Sequence, residues 1–294
     1  ADGLTLHGTY RHLSGDGTGP AALLISESGV TDRNGDNNVA GPIGNMRQLA
    51  ELLSDRGVAS LRYDKVGTGQ TGLGPYQDKP QDVISAVYTT GAAAALRFLA
   101  GRPASDPARL SVYALGEGTV HAMALAGDTT PEAPKVHSLG LFQPLPGRYL
   151  DIITNRVKAD GSPETVATWE AAVQQIRATG TVPANLPDGL GSIVNPGNVK
   201  AVVEADKIDP LALAASVPAG TPVLLTCSDA DSQARCPSVQ PLVDALQHTA
   251  LTVVELEGVS HVLRDDPTDS IANYAKQDPL SPQLVAALDA FTGK

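Results

Sequence analysis

The chain has 294 residues, with 21 Lys+Arg against 32 Asp+Glu for a formal net charge of −11, 42% hydrophobic and 4% aromatic residues, and 2 cysteines. That length holds one large α/β domain or two small ones, and the acidic balance, with no Lys/Arg cluster longer than a pair, argues against nucleic acid or an anionic membrane surface as partner. The richest apolar run, residues 92–100, is short and broken by Arg97, so no membrane span is expected.

In chain order, short aliphatic or β-branched runs alternate with helical patterns. Strands are predicted at 4–13 and 21–27, then a helix at 44–56 whose Met46, Leu49, Leu52 and Leu53 share a face and whose stop is Gly57. A strand at 58–63 precedes a helix at 81–100, with Asp82 as an early-turn or cap residue; a strand at 110–114 runs into a helix at 118–126, and a strand follows at 138–142. Residues 145–217 break the rhythm with helices at 149–159 and 163–178, then a turn-rich piece at 181–197 containing Pro183, Pro187 and Pro196. The alternation resumes with a strand at 223–227, a helix at 238–247 with Ser238 as an early-turn or cap residue, a strand at 251–256 and a helix at 282–291. The expected architecture is α/β: a doubly wound, mostly parallel sheet formed by residues 1–144 and 218–294, with 145–217 inserted as a helical cap or lid.

Cys227 and Cys236 flank one polar loop and have no companion Cys/His pair at metal-finger spacing, so no zinc site is expected. They read either as a disulfide or as two unrelated buried thiols. The bridge is the favoured reading, and it implies an oxidising compartment, secreted or in the cell envelope. The start of the chain lacks a charged and then apolar export signal, which fits either no signal or one already removed.

Chemistry in an open parallel sheet gathers at the carboxyl ends of its strands. Those ends carry Ser28-Gly29-Val30-Thr31-Asp32-Arg33-Asn34-Gly35, Arg62-Tyr63-Asp64-Lys65-Val66-Gly67-Thr68-Gly69-Gln70-Thr71, Ala114-Leu115-Gly116-Glu117-Gly118, the Asp229/Asp231 loop, and Gly258-Val259-Ser260-His261. The order of these segments resembles the α/β-hydrolase superfamily, in its capped esterase and acyl-hydrolase branch, over nearly the whole chain. The resemblance implies Asp231 as catalytic acid, His261 as base, and an oxyanion hole from Ser28, Gly29 and the backbone N–H of Glu117. Asp229 is the rival acid, but Asp231-Ser232-Gln233 matches the family's D-x-Q pattern. The implied ligand is a small ester, thioester or other acyl compound, without a cofactor or a metal.

Two positions depart from that pattern. Gly116 stands where the nucleophilic serine belongs, so the serine acyl-enzyme route is closed; glycine is sterically easy there because the elbow residue is commonly held at positive φ. Glu27 replaces a small residue ahead of the oxyanion turn, and it would oppose an oxyanion if it pointed inward; the competing expectation turns it to solvent or pairs it with Arg62 or Arg33. Three functions follow: a carboxylic-ester or thioester hydrolase whose nucleophile was lost or replaced, a natural pseudo-hydrolase that binds an acyl or apolar ligand, or hydrolysis by water that His261 activates directly, which forfeits covalent catalysis. His121 reads as a packed helix histidine, and Trp169 as a cap anchor or a wall facing substrate. The Gly67/Gly69/Gly72 loop is no dinucleotide site, because Pro75 and Pro80 delay the next helix.

Overall fold

The computed structural model describes residues 3–12, 17–186 and 189–293; Leu13, where the first predicted strand ends, and Pro187 of the turn-rich piece lie outside the described residues. The elements are β1 (Gly8–Arg11), β2 (Gly19–Ile25), α1 (Asn45–Asp55), β3 (Ala59–Tyr63), α2 (Ser85–Ala100), β4 (Ser105–Leu115), α3 (Gly118–Ala126) and β5 (Ser138–Phe142). Then follow α4 (Tyr149–Asp160), α5 (Pro163–Thr179), α6 (Val199–Asp206), α7 (Pro210–Ser216), β6 (Pro222–Ser228), α8 (Cys236–Ala245), β7 (Ala250–Leu256), α9 (Ile271–Tyr274) and α10 (Pro282–Thr292).

Seven strands form one sheet in the order β1-β3-β2-β4-β5-β6-β7, parallel except for β1, which pairs antiparallel with β3. The doubly wound expectation is met: side chains alternate across the sheet into two cores. Leu23, Ile25, Val112 and Leu225 pack with Leu96 and Leu99 of α2 and Met123 of α3 on one face. Ala22, Leu24, Tyr113 and Leu224 pack with Leu49 and Leu53 of α1 and Leu284 and Leu288 of α10 on the other.

Strand β2 has β3 on one side and β4 on the other, so the winding direction reverses there and opens a crevice at the carboxyl ends. The register pairs Ile25 with Ala114, so the residues two further along, Glu27 and Gly116, emerge side by side. That pairing places the site.

Between β5 and β6, helices α4 to α6 enclose an apolar cluster of their own around Trp169, Leu150, Ile153, Ile176 and Val202. Helix α7 instead packs through Ala214, with Val217 beyond it, onto the sheet-side core. Trp169 is fully buried and its Nε1–H donates to Thr154 Oγ1 at 3.0 Å, which makes it the anchor of the insert. Among the described residues no helix is long and apolar enough to cross a membrane.

Two cap assignments are corrected. Helix α2 starts after Ile84 with no side-chain cap, while Asp82 sits in a preceding 3₁₀ turn and pairs with Lys200 of α6. Ser238 is an early-turn residue and not the cap: α8 begins two residues earlier, at Cys236 after Arg235, because Pro237 suits a first helical turn. Gly57 does take the left-handed conformation after α1, and its N–H donates to Ser54 O.

Candidate active site

The elbow after β4 is built from two glycines with different duties. Gly116 has φ +54°, a conformation costly for a residue with a Cβ, and its N–H donates to Phe142 O at 3.1 Å. Gly118 lets α3 press onto β2, since a Cβ there would lie 2.8 Å from the carbonyl oxygens of Ile25 and Ser26.

On the far side of the crevice, Asp231 and His261 follow β6 and β7 and meet as expected. His261 Nδ1–H donates to Asp231 Oδ2 at 2.8 Å, both side chains buried. Asp231 Oδ1 accepts from the N–H groups of Gln233 and Ala234, so its loop fixes the orientation of the carboxylate. The Cys227–Cys236 disulfide closes that same loop. The rival, Asp229, faces elsewhere and accepts from Gly258 N–H at 2.7 Å.

The residue that changes the site is Glu27. The alternative that sent it to solvent or to an arginine is overturned: Arg33 is committed to Asp64, and Arg62 donates to Asn34 Oδ1. Glu27 turns inward, Oε2 accepting from His261 Nε2 and Oε1 from Ser28 N–H at 2.6 Å. An ideal Cβ at residue 116 would lie 1.9 Å from Glu27 Oε2, so the carboxylate fills the space a side chain at 116 would occupy. Of the implied oxyanion donors, Ser28 N–H is therefore already spent on Glu27.

Electrostatics favours the charged pair. Burial alone would raise the Glu27 carboxyl, but the charge and hydrogen bond of His261 with the donors of Ser28 outweigh it and bring its pKa down to about 2. Burial would lower His261, yet the charges of Glu27 and Asp231 push it well above its ordinary value. The imidazolium thus lies between two carboxylates.

The sign of the linkage follows. Glu27 stabilises the fold fully above its ordinary value of 4.5 and loses that contribution as pH falls toward 2; His261 stabilises it below 6.5 and loses that as pH rises through its raised value. The stability difference between the parent and Glu27→Gln, from urea unfolding at each pH, is therefore expected to be largest between pH 4.5 and 6.5 and to shrink on both sides. A flat difference would sink the ion-pair assignment.

Two features escaped the sequence. Asp269, at φ +46°, accepts the N–H of His261 through Oδ1 and the N–H of Ser232 through Oδ2, tying the His261 loop to the Asp231 loop; Tyr274 OH steadies it. Lys65 is buried, donates to Glu27 O and lies over the Tyr88 ring. Burial lowers its pKa, with Glu117 and Glu27 opposing, while burial raises Glu117, with Lys65 opposing. His121 is buried as expected, Nδ1 meeting Thr89 Oγ1 at 2.9 Å, and burial, then Lys65, takes its pKa down to about 3, so it is neutral.

Two cavities share Ser28 and Gln233 as walls, and the larger of these two is lined by Glu27 and His261. One, about 250 Å³, runs under the helical insert past Glu117, Leu145, Tyr149 and Ile153. The other, about 420 Å³, opens past Glu27, His261, Leu115 and Val262 toward the surface residues Val39 and Ile271. Among the described residues no group of three or more His, Cys, Asp or Glu side chains is arranged to hold a metal ion.

Neither a protein-family model nor a curated protein sequence matches the chain. Solved structures do. An esterase from Pyrococcus furiosus superposes with a TM-score of 0.60 at 15% identity, over 99% of this chain and 86% of that one. Est1E from Butyrivibrio proteoclasticus, with ferulic acid bound, gives 0.60 at 16% identity over 94% of each chain. The α/β hydrolase GrgF from a Penicillium species gives 0.57 at 15% over 88% of each.

Proposed function

From the α/β-hydrolase fold that this chain has, we propose that it is a protein of the carboxylic-ester or thioester hydrolase type, with Asp231 and His261 retained as acid–base pair and the serine nucleophile lost at Gly116. The observation that carries this reading is the buried 2.8 Å contact between Asp231 and His261 beside an elbow that keeps its positive φ at Gly116. Ligand would enter the two cavities that meet at Ser28 and Gln233, with residues 145–217 as the cap over the smaller. Restoring the nucleophile tests it: Gly116→Ser needs Glu27→Ala beside it, and ester hydrolysis that His261→Ala abolishes supports the reading. A folded double variant that stays silent, with no turnover by the unmodified chain either, overturns it.

The second reading, a non-catalytic binder of an acyl or apolar ligand, is favoured by Glu27, whose carboxylate already fills the nucleophile's space and engages His261 Nε2. Saturable binding of such an ester without turnover by the unmodified chain is its expected result.

The Cys227–Cys236 bridge supports an oxidising compartment for the chain. Thiol titration under denaturing, non-reducing conditions is expected to find no free thiol; two would remove the argument. Replacing both cysteines by serine should cost about 2–3 kcal/mol in urea unfolding, since the closed loop is short.

A further inference from the structure

We propose that in the unmodified chain the Glu27 carboxylate is itself the nucleophile, attacking the carbonyl carbon of an activated acyl group, a thioester or aryl ester. The proposal rests on the reading of this site as hydrolytic and names its missing reactive group.

Four observations converge on it. Oε2 lies 1.9 Å from where a Cβ on residue 116 would sit, so an oxygen is supplied at the elbow by the chain leaving β2 instead of the one leaving β4. That oxygen faces His261 Nε2, the atom that handles the proton. Oε1 is held by Ser28 N–H at 2.6 Å, which leaves Oε2 as the atom turned to the elbow. A cavity of about 420 Å³ opens directly on this pair, and a second of about 250 Å³ lies beyond the shared walls Ser28 and Gln233, room for an acyl group and a leaving group.

The chemistry balances. Oε2 bonds to the acyl carbon, the C–S or C–O(aryl) bond breaks, and the departing thiolate or phenolate takes the Nε2 proton of His261, leaving a mixed anhydride on Glu27. With the charge on Glu27 gone, His261 has lost one of the two anions that held its proton, so the neutral ring accepts a proton from water. The resulting hydroxide adds to Glu27 Cδ, and the oxyanion forming on Oε1 is already aligned with Ser28 N–H. Collapse breaks the Cδ–Oε2 bond and releases the acid, which carries away Oε2, while Glu27 keeps the oxygen of water and gives its remaining proton to solvent. Alkyl esters are excluded, because an alkoxide is a far poorer leaving group than the attacking carboxylate.

The whole chain is incubated with 4-nitrophenyl acetate and, separately, phenyl thioacetate in ¹⁸O-water, and the peptide containing Glu27 is weighed. Turnover that places heavy oxygen in Glu27, and that falls at least about 10²-fold in Glu27→Gln, supports the proposal. Heavy oxygen only in the released acid, or equal turnover by Glu27→Gln, overturns it. The double variant Glu27→Ala/Gly116→Ser separates the two levels: if it hydrolyses esters while the unmodified chain turns over neither probe, Glu27 is no nucleophile but the site reading stands. Silence from both folded proteins removes both.

Discussion

Combining Gly116→Ser with Glu27→Ala is expected to produce a His261-dependent hydrolase of alkyl esters, at least about 10³-fold above the parent chain on methyl butyrate as followed by acid release. The parent has no hydroxyl at the elbow, and a carboxylate cannot expel an alkoxide, so its own rate on this substrate should be at background. Neither single change suffices. A serine at 116 collides with Glu27 Oε2 unless the carboxylate swings away from His261, and it also takes on about 1–2 kcal/mol of left-handed strain. Glu27→Ala alone vacates the space without supplying an oxygen. In the double variant the serine Oγ inherits His261 Nε2, and Ser28 N–H is freed for an oxyanion. His261→Ala added to the pair should return the rate to background; survival of the activity would mean that hydrolysis occurs elsewhere.

Trp169→Ala should destabilise the helical insert by about 3–5 kcal/mol, the usual range for removing a fully buried large aromatic side chain. Its ring packs in the same cluster as Leu150, Ile153, Ile176 and Val202, and its truncation also removes the indole N–H that Thr154 Oγ1 accepts, leaving that hydroxyl only its bond to Leu150 O. That cluster is separate from the two sheet cores, so the damage should stay local. Limited proteolysis is expected to cut within residues 145–206 at protease levels that leave the parent intact, while the sheet domain persists. Loss of the whole fold in one step would show that insert and sheet unfold together.

Much of the fold was legible because burial on both faces forces continuous apolar runs: β5 and α3 lie where the sequence puts them, and the other long elements shift at their ends only. Helices α6 and α7 were missed because they are short and sit among Asn, Pro and Gly, with stability that comes from packing and from the Asp209 side chain capping α7. In the site, Asp231 and His261 were readable from motif order. Glu27 was not, since its direction depends on a vacancy 89 positions away that only the β2–β4 register brings beside it. Asp269 carried no signal at all: it is one aspartate among several in a polar loop, and its two backbone partners come together only in three dimensions.

The closeness of Glu27 Oε2 to the empty flank of Gly116 also sets an order on sequence change. A serine at 116 and a glutamate at 27 in its present pose exclude one another, so a walk by single substitutions between a serine elbow and this one crosses its lowest barrier when the serine goes first. Glycine there still keeps the turn, and the acid can then arrive into vacant space. The reverse order would have to shelter a homeless carboxylate beside Glu117 in an already acidic pocket. The two positions are thus epistatic: the effect of either substitution has no fixed sign until the other residue is known.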